Sequence, residues 1–121
     1  MTAIEAGGTA PSSLEPAAGD IWVSNRDSNT VTRLDREIGE QLAEIPVGAK
    51  PVWLAAAEDG TLLVPNNHDN TVSRIDSATN KVVATIKVSN RPVVIKRGFG
   101  DLWLTHLQDD ELWPLRVPPL R

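Results

Sequence analysis

Five polar residues of this 121-residue chain have side chains that could take part in chemistry, and they fall in three short polar segments. His68 and Asp69 lie in the first segment, Arg91 in the second, and His106 and Asp109 in the third. Carboxylate and imidazole groups can bind divalent cations, and imidazole also transfers protons near neutral pH. A site built from these residues would therefore bind a polar ligand or a divalent cation.

The same residues also have a simpler interpretation as turn residues. Residues 25–29 and 66–70 are rich in Asn, Asp and Ser. These side chains bond to the nearby backbone and tolerate left-handed conformations. Turn geometry alone therefore accounts for these segments, and we keep ligand binding as a hypothesis without assigning a catalytic residue or a metal ligand.

The chain lacks the sequence patterns of several classes of enzyme. It has no cysteine, which excludes disulfides, thiolate metal sites and a cysteine nucleophile. It also contains no glycine-rich phosphate loop, no nucleophile elbow and no His-Glu zinc helix motif. The sequence therefore offers no positive evidence for an enzyme, and it indicates no cofactor.

Charge and hydropathy argue against nucleic-acid binding and membrane insertion. The chain has 12 basic and 16 acidic residues, a net charge of −4, whereas phosphate binding needs clustered cations. Its longest apolar runs, such as 52–57, are far shorter than the roughly 20 residues that cross a bilayer. Residues 1–18 have no Lys or Arg and no apolar core of a signal peptide. We expect them to form a flexible segment without secondary structure.

An internal repeat shows which elements must position the polar segments. GDIWVSN at 19–25 aligns with GTLLVPN at 60–66 and GDLWLTH at 100–106, at offsets of 41 and 40 residues. NTVTRLD at 29–35 likewise recurs as NTVSRID at 70–76. Short β segments with a period of about 40 to 45 residues are typical of propeller blades with four strands each.

The strand patterns within each repeat predict an all-β fold. Residues 81–88 alternate between apolar and polar, as an outer strand does, whereas 62–64 form an unbroken apolar run typical of a strand covered on both faces. We predict a partial β-propeller of four-stranded antiparallel blades, about two and a half in number. The predicted parts are an incomplete first blade at 19–50, a complete blade at 51–90, an incomplete third blade at 91–116, and a tail at 117–121.

The repeat resembles a known family, the YVTN-type β-propeller repeat. The resemblance rests on WVSN at 22–25, DNTVSRID at 69–76 and TNKVVATI at 79–86. It implies a closed ring of commonly about seven blades, in the quinoprotein-amine-dehydrogenase-like and lyase-like propeller group, and an extracytoplasmic location. It also implies that the turns after the second and outer strands share one rim, where Lys50 and 67–70 would join the candidate site.

Two arginines and four tryptophans have repeat-based interpretations. Arg33 and Arg74 each precede an aspartate by two residues, so we expect lateral ion pairs with Asp35 and Asp76. Trp22 and Trp103 occupy the same repeat position and are expected to pack between blades. Trp53 is also expected to be packed. Trp113 replaces the polar Ser73 of the preceding repeat and is a candidate partner-binding residue, or alternatively a cap on the last blade.

Three functional hypotheses follow from the predicted fold. The first is a non-enzymatic repeat module that acts as a binding or interaction scaffold through its rim turns. The second is a fragment or subunit of a propeller enzyme, either lyase-like or dehydrogenase-associated, and the third is a lectin-like oligomer that builds a ring from short chains. Because an unclosed array leaves a sheet edge unpaired, we also expect self-association or a partner chain that completes the propeller.

Overall fold

The computed structural model describes residues 5–57, 59–88, 91–98, 101–106 and 112–115. These residues form eleven strands in three antiparallel sheets, two of four strands and one of three. None of the described residues is helical, so no helix in them spans a membrane. The all-β fold of successive antiparallel sheets predicted from the repeat is confirmed.

Each sheet is a meander in which the strands follow the order of the chain. Sheet 1 contains β1 (Pro11–Ala17), β2 (Asp20–Asn25), β3 (Thr30–Leu34) and β4 (Gln41–Pro46). Sheet 2 contains β5 (Ala55–Ala56), β6 (Thr61–Asn66), β7 (Thr71–Asp76) and β8 (Lys81–Lys87). Sheet 3 contains β9 (Pro92–Gly98), β10 (Asp101–His106) and β11 (Leu112–Leu115).

The prediction that residues 1–18 lack secondary structure is wrong for β1, which pairs with β2 and gives sheet 1 four strands instead of three. The strand has no apolar alternation, and its two prolines are tolerated because it lies at the sheet edge. Serine hydroxyls hold it in place instead. Ser12 and Ser13 lie 3.0 and 2.9 Å from the Ser24 hydroxyl, Oγ to Oγ.

The first strand of sheet 2 contains only Ala55 and Ala56 of the apolar run at 52–57, and the backbone before them bonds to side chains of sheet 1. The Ser12 hydroxyl donates to the Pro51 carbonyl at 3.0 Å, and the Ser24 hydroxyl donates to the Val52 carbonyl at 2.8 Å. Side chains of sheet 1 thus satisfy two backbone carbonyls of the segment that precedes β5. These hydrogen bonds also join sheet 1 to sheet 2 near β1 and β5.

Sheet 2 is covered on both faces, as the apolar run at 62–64 predicted. One core lies between sheets 1 and 2, and a second lies between sheets 2 and 3. The first contains Trp22, Val31, Ile45, Leu54, Leu62, Val64 and Ile75. The second contains Ala55, Leu63, Val72, Ile95 and Leu104.

The predicted lateral ion pairs are wrong, although both arginines do have aspartate partners. Arg33 Nε lies 2.8 Å from Asp20 Oδ2, and Arg74 pairs with Asp59. Asp35 instead accepts hydrogen bonds from the backbone of the turn that follows it, at 2.8 and 3.1 Å. An aspartate at the end of a strand is favoured in this role because its short side chain reaches amides two and three residues ahead.

Among the tryptophans, Trp22 is fully buried between sheets 1 and 2, as predicted. The prediction that Trp53 is packed is wrong, because 53% of its surface is exposed. Residue 53 forms an isolated parallel bridge to Val94 of sheet 3. Its side chain lines a groove beside β1, β5 and β9. Trp103 is half-buried.

We expect the pairing of Asp59 to make stability fall at acid pH. Burial raises the pKa of this carboxyl, but hydrogen bonds from Thr61 and Arg74 outweigh that effect and hold the pKa below its ordinary value of 3.8. A lowered folded-state pKa stabilises the fold above the ordinary value, and the contribution is lost as the pH falls through the folded-state pKa. Urea unfolding at pH 7 and pH 3 should therefore show a smaller pH dependence in Asp59→Asn than in the unmodified chain. Equal dependence in both proteins would contradict this expectation.

Candidate functional site

The polar turns and connectors meet at one edge of sheets 1 and 2, which we call the rim. We define the rim by the turns 26–29 and 67–70, the connector 47–50 and Arg91. Neighbouring strands run in opposite directions, so every second loop lies at the same edge of its sheet. At the rim these loops are the turns after β2 and β6 and the connectors after β4 and β8. The connector bonds to the second turn, with Asn67 N donating to Lys50 O at 2.9 Å.

The repeat builds the same hydrogen-bonded clasp twice along the rim. The Asn29 side-chain carbonyl accepts from Lys50 N at 3.0 Å, and the Asn70 side-chain carbonyl accepts from Arg91 N at 2.8 Å. All four of these residues have a positive φ between 56° and 59°. Asparagine tolerates this conformation well, which explains its place in both turns.

Asp69 holds the connector against its turn. Its Oδ2 accepts from Ala49 N at 2.7 Å. The preceding Gly48 lies so close that an added Cβ would be 2.6 Å from Asp69 Oδ2 and 2.8 Å from Asn66 Cγ. The carboxylate therefore has a structural role, which agrees with the interpretation of these polar residues as turn residues.

Arg91 and His68 form a polar contact on the exposed side of the rim. Arg91 Nη2 lies 3.2 Å from His68 Nε2, and Arg91 also donates to Asn67 Oδ1 at 3.2 and 3.4 Å. A guanidinium can only donate, so a hydrogen bond between these two atoms requires His68 Nε2 to accept. The Asn67 amide donates to Pro92 O at 3.1 Å, and it thereby orients the carbonyl that holds Arg91.

A second charged contact lies at the equivalent place one repeat earlier. Lys50 Nζ lies 3.1 Å from Asp27 Oδ1, and Arg26 Nε lies 3.5 Å from the same oxygen. The hydrogen bond and charge of Lys50 lower the pKa of Asp27 from its ordinary value. Lys50 and Arg91 thus carry a cation at each clasp.

The structure brings together three of the five candidate residues, His68, Asp69 and Arg91. His106 ends β10 and is buried, at the repeat position that Asn25 and Asn66 occupy in sheets 1 and 2. In those sheets the asparagine amide donates to two hydroxyl groups of the following strand at 2.8–3.2 Å. Ligand binding by His106 stays a prediction.

Two further candidates fall outside what the structure describes. Asp109 lies outside the described residues, and for Trp113 only the backbone is described, in β11 opposite Leu104. Their proposed binding roles stay predictions. Within the described ranges, no group of three or more His, Cys, Asp or Glu side chains is placed to hold a metal ion.

A groove that the sequence did not predict runs along β1, β5 and β9, the first strands of the three sheets. It has a volume of about 560 Å³ and is lined by residues of β1, β5 and β9 and by the segment that precedes β5. Trp53 and Leu14 contribute exposed apolar surface, while Glu15 and Lys96 contribute opposite charges. The exposure of Trp53 could not be found from the sequence, because the connector before β5 has no apolar alternation that would show which side is covered.

Comparisons with known proteins show the fold of this chain. No protein-family model matches it, and no curated protein matches it by sequence. Among solved structures, it resembles hydrazine synthase of Kuenenia stuttgartiensis, with a TM-score of 0.74 and 24% identity over 87% of this chain and 31% of that one. It also resembles virginiamycin B lyase of Staphylococcus aureus, with a TM-score of 0.71 and 22% identity over 89% of this chain and 42% of the lyase.

A third similar structure is the dihydro-heme d1 dehydrogenase NirN, with a TM-score of 0.69 and 22% identity. The match covers 88% of this chain but 25% of that protein. The chain thus spans less than half the length of each of the three proteins. Together with a WD40 β-propeller domain that also matches, these structures identify the fold as part of a β-propeller. The finer assignment to YVTN-type repeats stays a prediction.

Proposed function

We propose that this chain is a non-enzymatic β-propeller module that binds a partner through its rim, and that its blades are YVTN-type repeats. The observation that carries the proposal is the contact of Arg91 with His68 on the exposed side of the rim. The described contacts of the guanidinium use Nε and Nη2, which leaves the donors of Nη1 for a ligand.

The charges of the rim indicate the chemistry of the partner. Among the rim residues that the structure describes, three cations, Arg26, Lys50 and Arg91, stand against two carboxylates, those of Asp27 and Asp69. This described part of the rim therefore carries a small positive charge on a chain whose net charge is −4. Opposite charges favour association, so the partner that fits best presents carboxylate groups, as an acidic peptide does.

The melting temperature of the chain tests this proposal. A ligand present at ten times its Kd for the folded state stabilises that state by about 1.4 kcal/mol, which raises the melting temperature of a domain of this size by about 5–6 °C. We expect hexaglutamate to produce such a rise and Arg91→Ala to abolish it. Arg36→Ala is the matched control, because Arg36 is exposed in the β3–β4 turn at the opposite edge and should leave the rise unchanged.

Other outcomes of the same titration would overturn the proposal. A rise of equal size in Arg91→Ala would place binding elsewhere. No rise with hexaglutamate, combined with a rise with simple sugars, would favour the lectin-like alternative. The activities named for the similar structures are not assigned to this chain, because identities of 22–24% show the fold alone.

A further inference from the structure

An exposed tryptophan lines the groove along β1, β5 and β9. More than half of the surface of Trp53 is exposed there. The segment that holds it leads into sheet 2, which has a neighbouring sheet on each face, so the exposure is not due to an absent neighbour. Among the described contacts, the indole Nε1 of Trp53 has no acceptor. The indole can therefore contact a ligand through its ring face and through its N–H group.

Two opposite charges line the same groove, Glu15 on β1 and Lys96 on β9. They occupy the same repeat position, because each pairs with the residue at the Trp22 position of the next strand. Ala55 is the corresponding residue of sheet 2. Since sheet 2 lies between sheets 1 and 3, a small apolar side chain separates the two charges.

The two charged side chains have no partners among the described residues. Glu15 is half-buried and Lys96 is exposed, and neither takes part in a described hydrogen bond or ion pair of its side chain. The half-buried carboxylate of Asp20, in contrast, is paired with Arg33. A partly buried carboxylate is normally paired, because burial removes part of its hydration. The groove thus offers an unpaired carboxylate and an unpaired ammonium group on either side of an apolar stretch.

We infer that this groove binds a small zwitterion whose ammonium and carboxylate groups are separated by an apolar chain. The ligand's ammonium group pairs with Glu15 and its carboxylate with Lys96, while the chain between them lies on Trp53 and Ala55. A ligand with a single charge would leave one of the two protein charges unpaired. The volume of about 560 Å³ is in the range of small-molecule sites. This inference goes beyond the proposed function, because the site is the groove and not the rim.

Titration with 6-aminohexanoate, followed through the ¹⁵N–¹H signal of the Trp53 indole, tests the inference. The signal is identified by its absence in Trp53→Phe, and we expect it to shift to saturation. Hexylamine and hexanoate have the same carbon chain with one charge each, so they should bind about 5-fold more weakly or less well still. An indole signal that 6-aminohexanoate does not move would overturn the inference, as would equal binding of all three compounds.

Substitutions with matched controls show whether the two charges carry the binding. Glu15→Gln and Lys96→Met should each weaken binding of 6-aminohexanoate by about 5-fold, the usual effect of a partly exposed ion pair. Glu44→Gln and Lys81→Met make the same changes of charge at exposed positions of the outer strands β4 and β8, and they should leave the affinity unchanged. Equal losses in the controls would contradict the inference, because binding would then follow the net charge of the chain.

Exchanging the two charges separates electrostatic pairing from an effect of side-chain shape. Glu15→Lys alone leaves two cations in the groove and should abolish binding of the zwitterion. Adding Lys96→Glu restores one charge of each sign, so the ligand should bind again in the reverse direction and recover most of the lost affinity. A double variant with the circular dichroism of the unmodified chain that still fails to bind would overturn the assignment of these two residues.

Discussion

Trp22→Ala should lower the free energy of unfolding by about 3–5 kcal/mol, the usual cost of truncating a buried tryptophan. Trp22 is fully buried in the core between sheets 1 and 2. Its indole Nε1 donates to Ala17 O at 2.9 Å, and the Arg33 guanidinium lies 4.7 Å from the ring centre. The substitution therefore removes packing from both sheets and leaves a carbonyl without its donor.

Trp53→Ala is the matched control for this prediction. Trp53 is more than half exposed, so the same change of residue type should cost less than about 1 kcal/mol. Urea unfolding followed by circular dichroism measures both variants without relying on tryptophan fluorescence. Similar losses in the two variants would show that the sheets do not pack around Trp22 as the structure has them.

Arg33→Met should lower the free energy of unfolding by about 2–3 kcal/mol. The Arg33 guanidinium pairs with Asp20 and also donates to Ser77 O and Asn80 Oδ1 of sheet 2, both at 2.7 Å. One largely buried side chain thus joins the β1–β2 end of sheet 1 to the β7–β8 turn. Methionine keeps most of the contact with Trp22 but leaves these three acceptors without their donor.

Arg36→Met shows whether the loss comes from these contacts or from charge. Arg36 is exposed and lies 4.0 Å from the Glu37 carboxylate, a surface pair that contributes less than about 1 kcal/mol. We expect its replacement to leave the urea midpoint within error of the unmodified chain. A midpoint shift as large as that of Arg33→Met would point to a charge effect on the whole chain.

The repeat made most of the fold predictable, because the strand order follows from its period and from the position of each turn. β1 was missed for a physical reason: hydroxyl groups hold this strand, and they leave no apolar alternation in the sequence. The aspartate partners of Arg33 and Arg74 also could not be predicted from the sequence. They depend on which neighbouring turn faces the guanidinium, and that is set by how the strands pair and how the sheets pack.

For the candidate site, the resemblance to propeller repeats implied that His68, Asp69 and Arg91 lie near one another, and the structure brings these three residues together. It did not show that Asp69 bonds to Ala49 N or that Asn67 orients Arg91, because these contacts depend on the left-handed turns in three dimensions. The alignment of His106 with Asn25 and Asn66 was visible in the sequence. That alignment predicts a shared position at the end of a strand, and the burial of all three residues is seen only in the structure.

The clasp at Lys50 also bears on how such a chain can grow by gene duplication. Its backbone amide bonds to the turn of sheet 1 and its carbonyl to the turn of sheet 2. The amide half of this joint recurs one period later, where Arg91 N donates to the Asn70 side chain. Tandem duplication of one repeat therefore copies a blade together with the residues that bond its connector to the preceding turn. An array lengthened in this way keeps the same contacts between neighbouring blades.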